Sequence, residues 1–94
     1  MAMTTEERLL LLKKDLQLLT TANDDYLRWL LEAAASAIQR EGIKLVEGNL
    51  ECDMVQIHYA AYLFRKRGGT DTAMPRFLRY ELNNLLFSQK GGAL

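Results

Sequence analysis

Between Asn23 and Gly42 the apolar residues Leu27, Leu30, Leu31, Ala34 and Ile38 recur every three or four positions. That spacing puts their side chains on one stripe of an α-helix. Arg28, Glu32, Ser36 and Gln39 fall on the other side, Asn23-Asp24-Asp25 is a start signal, and Gly42 follows Gln39-Arg40-Glu41 as a left-handed stop. A helix over 24–41 with one apolar stripe must bury it against other elements, so the rest of the chain is read as its packing partners.

Three further helices are expected. Thr4 and Thr5 precede Glu6 and Glu7, so a threonine hydroxyl can cap a first helix near 5–16 whose core face is Leu9, Leu12 and Leu16. Asp53 can cap a third over 53–67, with Met54, Ile57, Ala60, Ala61 and Phe64 on one side and Arg65-Lys66-Arg67 at its negative end. Pro75 suits the first turn of a fourth over 75–88, with the stripe Leu78, Leu82, Leu85 and Leu86. Gly68-Gly69-Thr70-Asp71-Thr72-Ala73 reads as a flexible connector and 89–94 as a frayed tail. The alternation Ile43-Lys44-Leu45-Val46 resembles a strand but has no partner strand, so it is read as a loop. The expected fold is a single all-α, four-helix bundle-like domain over residues 1–94, because a chain of 94 residues encloses only one modest core.

Composition narrows the function classes. Twelve basic and twelve acidic residues cancel, whereas duplex-binding domains normally carry a basic excess that displaces phosphate counterions. The lone Cys52 can form neither an intrachain disulfide nor a thiolate zinc cluster, which fits a reducing cytoplasm. The start Met1 to Glu7 is acidic, unlike a signal peptide, and the apolar run Leu9 to Leu12 is too short to span a bilayer.

Nothing in the pattern places a nucleophile or an orienting carboxylate by His58, so it reads as a structural histidine. Cys52 lacks a paired base, the pairs Glu6-Glu7 and Asp24-Asp25 are accounted for by capping, and Gly68-Gly69 lacks any phosphate-binding fingerprint. No catalytic, cofactor or metal residues are therefore expected, and the chain is expected to act by binding other proteins. Arg65, Lys66 and Arg67, with Arg76 and Arg79 beyond the connector, are a candidate positive patch, with a solvated helix end as the alternative. Val55, Tyr59 and Tyr62 lie opposite the Ile57-Ala61-Phe64 stripe, so the third helix is either central in the bundle or presents aromatics for association. Phe77, Tyr80 and Phe87 lie opposite or beside the leucine stripe of the fourth helix and are read as a partner-binding surface. Trp29 is placed at the core periphery, with an anchoring role as the alternative.

The order of these features resembles the head-tail connector, or adaptor, proteins of tailed double-stranded DNA bacteriophages and prophages. The residues that carry the likeness are Leu9-Leu10-Leu11-Leu12-Lys13-Lys14-Asp15-Leu16, then Asn23-Asp24-Asp25 leading into Leu30-Leu31-Glu32-Ala33-Ala34. The aromatic run from His58 to Arg67 and the final segment Pro75 to Leu86 complete it. The resemblance implies a structural protein of the virion neck, made in the bacterial cytoplasm. It implies a homo-oligomeric ring, typically twelve-fold, beneath the portal protein, which extends the DNA channel toward the stopper or tail-completion protein. Membrane and sequence-specific nucleic acid are not among the implied partners, and a net charge of zero suits a channel that must not retain DNA. The alternative is a small helical DNA-binding regulator with Arg76 and Arg79 projecting from the first turns of a reading helix.

Overall fold

The computed structural model describes residues 3–69 and 73–92. They form four helices: α1 Thr5–Leu16, α2 Asp24–Arg40, α3 Leu50–Gly68 and α4 Arg76–Gly92. The fold is all-α, with no strand among the described residues.

α1 opens on a capping box: the Thr4 hydroxyl accepts from the Glu7 N–H at 3.1 Å, and the Glu7 carboxylate accepts from the Thr4 N–H at 2.9 Å. It closes on Gln17, whose φ of 58° is left-handed without being glycine. Asn23 precedes α2 but makes no side-chain cap, and Gly42, with φ of +92°, turns the chain after the C-cap Glu41.

α3 starts earlier than expected. Asn49 is its cap, accepting from the Cys52 N–H at 3.0 Å, while Asp53 lies within the first turns. The Asp53 carboxylate is turned to α1 instead, where Arg8 donates from Nε and Nη2 at 3.1 and 3.0 Å. α3 also runs one residue past Arg67, so Gly68 belongs to it, while 70–72 of the expected connector lie outside the described residues. In α4, Pro75 sits just before the first helical residue and its carbonyl accepts from the Arg79 N–H.

α4 does not fray at 89 but continues to Gly92; residues 93–94 lie outside the described set. Gln89 holds it down. Its amide accepts from the Lys44 N–H at 2.9 Å and donates to the Lys44 carbonyl at 2.7 Å, satisfying both backbone groups much as a neighbouring strand would. A strand-like segment with no partner strand thus has both backbone groups of Lys44 met by one side chain. Gln89→Ala is expected to lower stability by about 1 kcal/mol and to speed exchange of the Lys44 amide, read by urea unfolding and hydrogen exchange.

Two clusters of buried side chains share α3. Leu9 and Leu12 of α1, Leu27, Leu30, Leu31 and Ala34 of α2, and Ile57, Ala60 and Ala61 of α3 make the first. Ile38, Ile43, Cys52, Val55 and the α4 residues Leu78, Leu82 and Leu85 make the second, and Tyr59 packs against both. The small Ala34, Ala60 and Ala61 are fully buried, which lets α2 and α3 approach closely. Of the two readings of the third helix, the central one holds. Its apolar circumference is divided between two clusters, with Tyr59 and Tyr62 half-buried rather than projecting.

Ion pairs mark the helix directions. Arg8 with Asp53 and Asp15 with Arg65 show α1 parallel to α3. Glu6 with Arg28 and Lys13 with Asp24 show α2 antiparallel to α1. The resulting body is a slab of 46 × 34 × 18 Å, about two helix diameters thick.

Candidate protein-binding surface

α4 is buried on one side only. Leu78, Leu82 and Leu85 face the second cluster, which turns Phe77, Tyr80 and Phe87 outward, exposed to 52, 63 and 69 %. At 3.6 residues per turn these three lie along one stripe about 15 Å long, with the exposed Asn84 between them. The exposed charged residues described on α4 are Arg76 at its start and Lys90 near its end. Aromatic and amide surface of this kind is typical of the desolvated centre of an interface.

The basic residues read as a candidate patch, or as a solvated helix end, make separate contacts. Arg65 donates to the Asp15 carbonyl and carboxylate at 3.2 and 3.3 Å, and Arg79 donates to both Glu41 oxygens at 2.7 and 3.3 Å. The Glu41 carboxylate raises the Arg79 pKa by that hydrogen bond. Arg67 lies over the Phe64 and Tyr26 rings at 4.3 and 5.0 Å, and Lys66 over Tyr62 at 5.7 Å. Arg76 makes no ion pair among the described residues. Of the arginines assigned to a DNA-reading helix, Arg79 is thus already engaged by a carboxylate.

Tyr59 and Tyr62 meet edge to face at 5.9 Å. Burial raises the Tyr59 phenol pKa, and the nearby Glu41 adds to it. Trp29 is 63 % exposed, further out than the periphery expected for it, and touches Tyr26 at 6.0 Å between ring centres.

His58 has a carboxylate partner that the sequence pattern did not disclose. Glu81 of α4 lies 2.9 and 3.2 Å from its Nδ1, and Phe77 stacks edge-on at 5.4 Å. The pair ties α4 to α3 across a groove of about 440 Å³ lined by Leu50, Met54, Val55 and Leu85, with Glu51, His58, Glu81 and Asn84. Cys52 is buried, its thiol directed at the Lys44 carbonyl at 3.6 Å. Among the described residues no three His, Cys, Asp or Glu side chains are grouped to hold a metal ion, and no helix is long and apolar enough to cross a membrane.

Three exposed features went unread in the sequence: Leu19, 96 % exposed in the α1–α2 connection, Leu10 at 55 % and Leu50 at 66 %. Leu10 falls outside the core face Leu9, Leu12 and Leu16 read from the spacing, but within the leucine run its exposure was given no role.

Two carboxylates on α1 are held below the ordinary carboxylate range. Hydrogen bonds from Arg28 lower the Glu6 pKa, and the Thr4 N–H lowers that of Glu7. A carboxylate lowered on folding contributes stability above its ordinary titration range and loses it as pH falls through the lowered value. The double variant Glu6→Gln/Glu7→Gln is therefore expected to lose less stability than the wild type between about pH 6 and pH 3, read from urea midpoints at each pH.

Comparison with known families, with curated proteins and with solved structures finds no match.

Proposed function

We propose that the protein is a structural subunit of a phage neck. As a head-tail connector it forms a ring beneath the portal protein and extends the DNA channel toward the stopper or tail. The observation that carries this reading is the aromatic stripe Phe77, Tyr80 and Phe87 on the face of α4 opposite its core. Three aromatic rings, each more than half exposed along one helix face, are the kind of anchor an assembly subunit uses. The sequence resemblance supplies the class of assembly. The engagement of Arg79 by Glu41 weighs against the DNA-binding alternative, since one of the two arginines assigned to the reading helix is already held by a carboxylate.

The stripe is assigned to the portal protein. Mixing the two proteins should give a co-eluting complex on size exclusion, while a DNA duplex should not be retained even at low ionic strength. Salt-sensitive duplex binding with no portal complex would replace this reading with the regulator.

A further inference from the structure

The α1–α2 connection and the start of α3 lie toward opposite ends of α3. Asp15 meets Arg65 late in α3, whereas Leu50 is its first residue, fifteen positions and roughly 22 Å earlier along the helix axis. Each end pairs one exposed leucine with one hollow. At the first end Leu19, 96 % exposed, rims a concavity of about 650 Å³ lined by Leu10, Lys13, Lys14, Gln17 and Leu18. At the other, Leu50, 66 % exposed, rims the α3–α4 groove of about 440 Å³.

The charges at the two ends are opposite. Lys13 and Lys14 line the first hollow, and Glu51 and Glu81 line the groove. Lys13 is held by Asp24 at 2.9 Å and Glu81 faces His58, which leaves Lys14 and Glu51 with no ion-pair partner among the described residues. A single chain cannot join its own two ends across that distance, so any pairing of one with the other is between copies.

We propose that these ends form the contact between neighbouring copies: Leu19 and Lys14 of one copy dock in the α3–α4 groove of the next, against Leu50, Met54 and Glu51. Because two different patches meet, the contact is heterologous and repeats from copy to copy, closing into a ring where the rotation allows. The assignment rests on the reading of the chain as a ring-forming subunit, and it leaves the outer face of α4 to the portal.

The test uses light scattering over a range of concentrations on the full chain, alone and with the portal protein. Lys14→Glu and Glu51→Lys should each shift self-association to at least about tenfold higher concentration, since each opposes like charges in every contact. An equal mixture of the two variants should recover it, because alternating copies restore an opposite-charge pair at both kinds of contact. Leu19→Ser should weaken association comparably without altering the thermal melt, as its side chain is almost wholly in solvent.

Single charge variants that associate like the wild type would overturn the assignment while leaving the assembly reading intact. So would variants that keep self-association but lose the portal complex, since the groove would then belong to the portal. A wild type that stays monomeric at every concentration, with and without the portal, would overturn the assembly reading and this contact together.

Discussion

Ile57→Ala is expected to lower the free energy of unfolding by about 3 kcal/mol, the usual cost of removing a large buried aliphatic side chain and leaving part of its volume empty. Ile57 is 1 % exposed and belongs to the cluster that joins α1, α2 and α3. Its neighbours Ala60 and Ala61 are too small to move into the space. Small domains are stable by only about 5–15 kcal/mol, so a large share of the total is removed. Urea unfolding followed by helical circular dichroism reads the effect as a lower midpoint with an unchanged slope. A loss under about 1 kcal/mol would mean that α3 is not the shared centre of the two clusters.

The second large effect falls on binding rather than stability. On the proposed assembly reading, the triple variant Phe77→Ser/Tyr80→Ser/Phe87→Ser is expected to weaken the portal complex by about 3 kcal/mol, roughly a hundredfold, since that reading makes these rings its anchors. The same changes should leave the melting temperature within a few degrees of wild type. All three side chains are more than half exposed, and only Phe77 makes an aromatic contact, its edge-on stacking with His58. Titration of the portal protein followed by light scattering, beside a thermal melt, separates the two quantities. Ile57→Ala should behave oppositely, losing stability while retaining partner affinity in the fraction that stays folded.

The helices were legible wherever a single stripe was buried. The Leu27 to Ile38 periodicity and the Gly42 stop locate α2 within a residue, because one face packs and the chain then needs a positive φ. α3 was harder. Asn49 and Asp53 are both chemically suited to capping, and the choice between them depends on Arg8, forty-five positions away, which claims the Asp53 carboxylate. Its apolar circumference was equally ambiguous until α4 was placed, since only a fourth helix converts the Val55–Tyr59 side from surface to interior. The end of α4 depended on the Gln89 bonds to a loop that carries no periodic signal.

The candidate surface divides in the same way. Phe77, Tyr80 and Phe87 were recognisable because their helix has a clear leucine stripe for contrast. The basic cluster was not, because charge runs along the sequence without revealing that Asp15 and Glu41 meet Arg65 and Arg79 in space. Glu81 beside His58, and the exposed leucines toward either end of α3, likewise follow from helix packing that no local spacing encodes.

The central claim is that this helical domain is an assembly subunit whose exposed surfaces are contacts in waiting. Its most direct test is the solution mass by light scattering, for the wild type and the triple α4 variant, each alone and with the portal protein. The account predicts a higher-order species for the wild type, at least with the portal present, and no portal complex for the triple variant despite an unchanged melt. A wild type that remains a monomer under every condition, or a triple variant that binds the portal as tightly as the wild type, would contradict it.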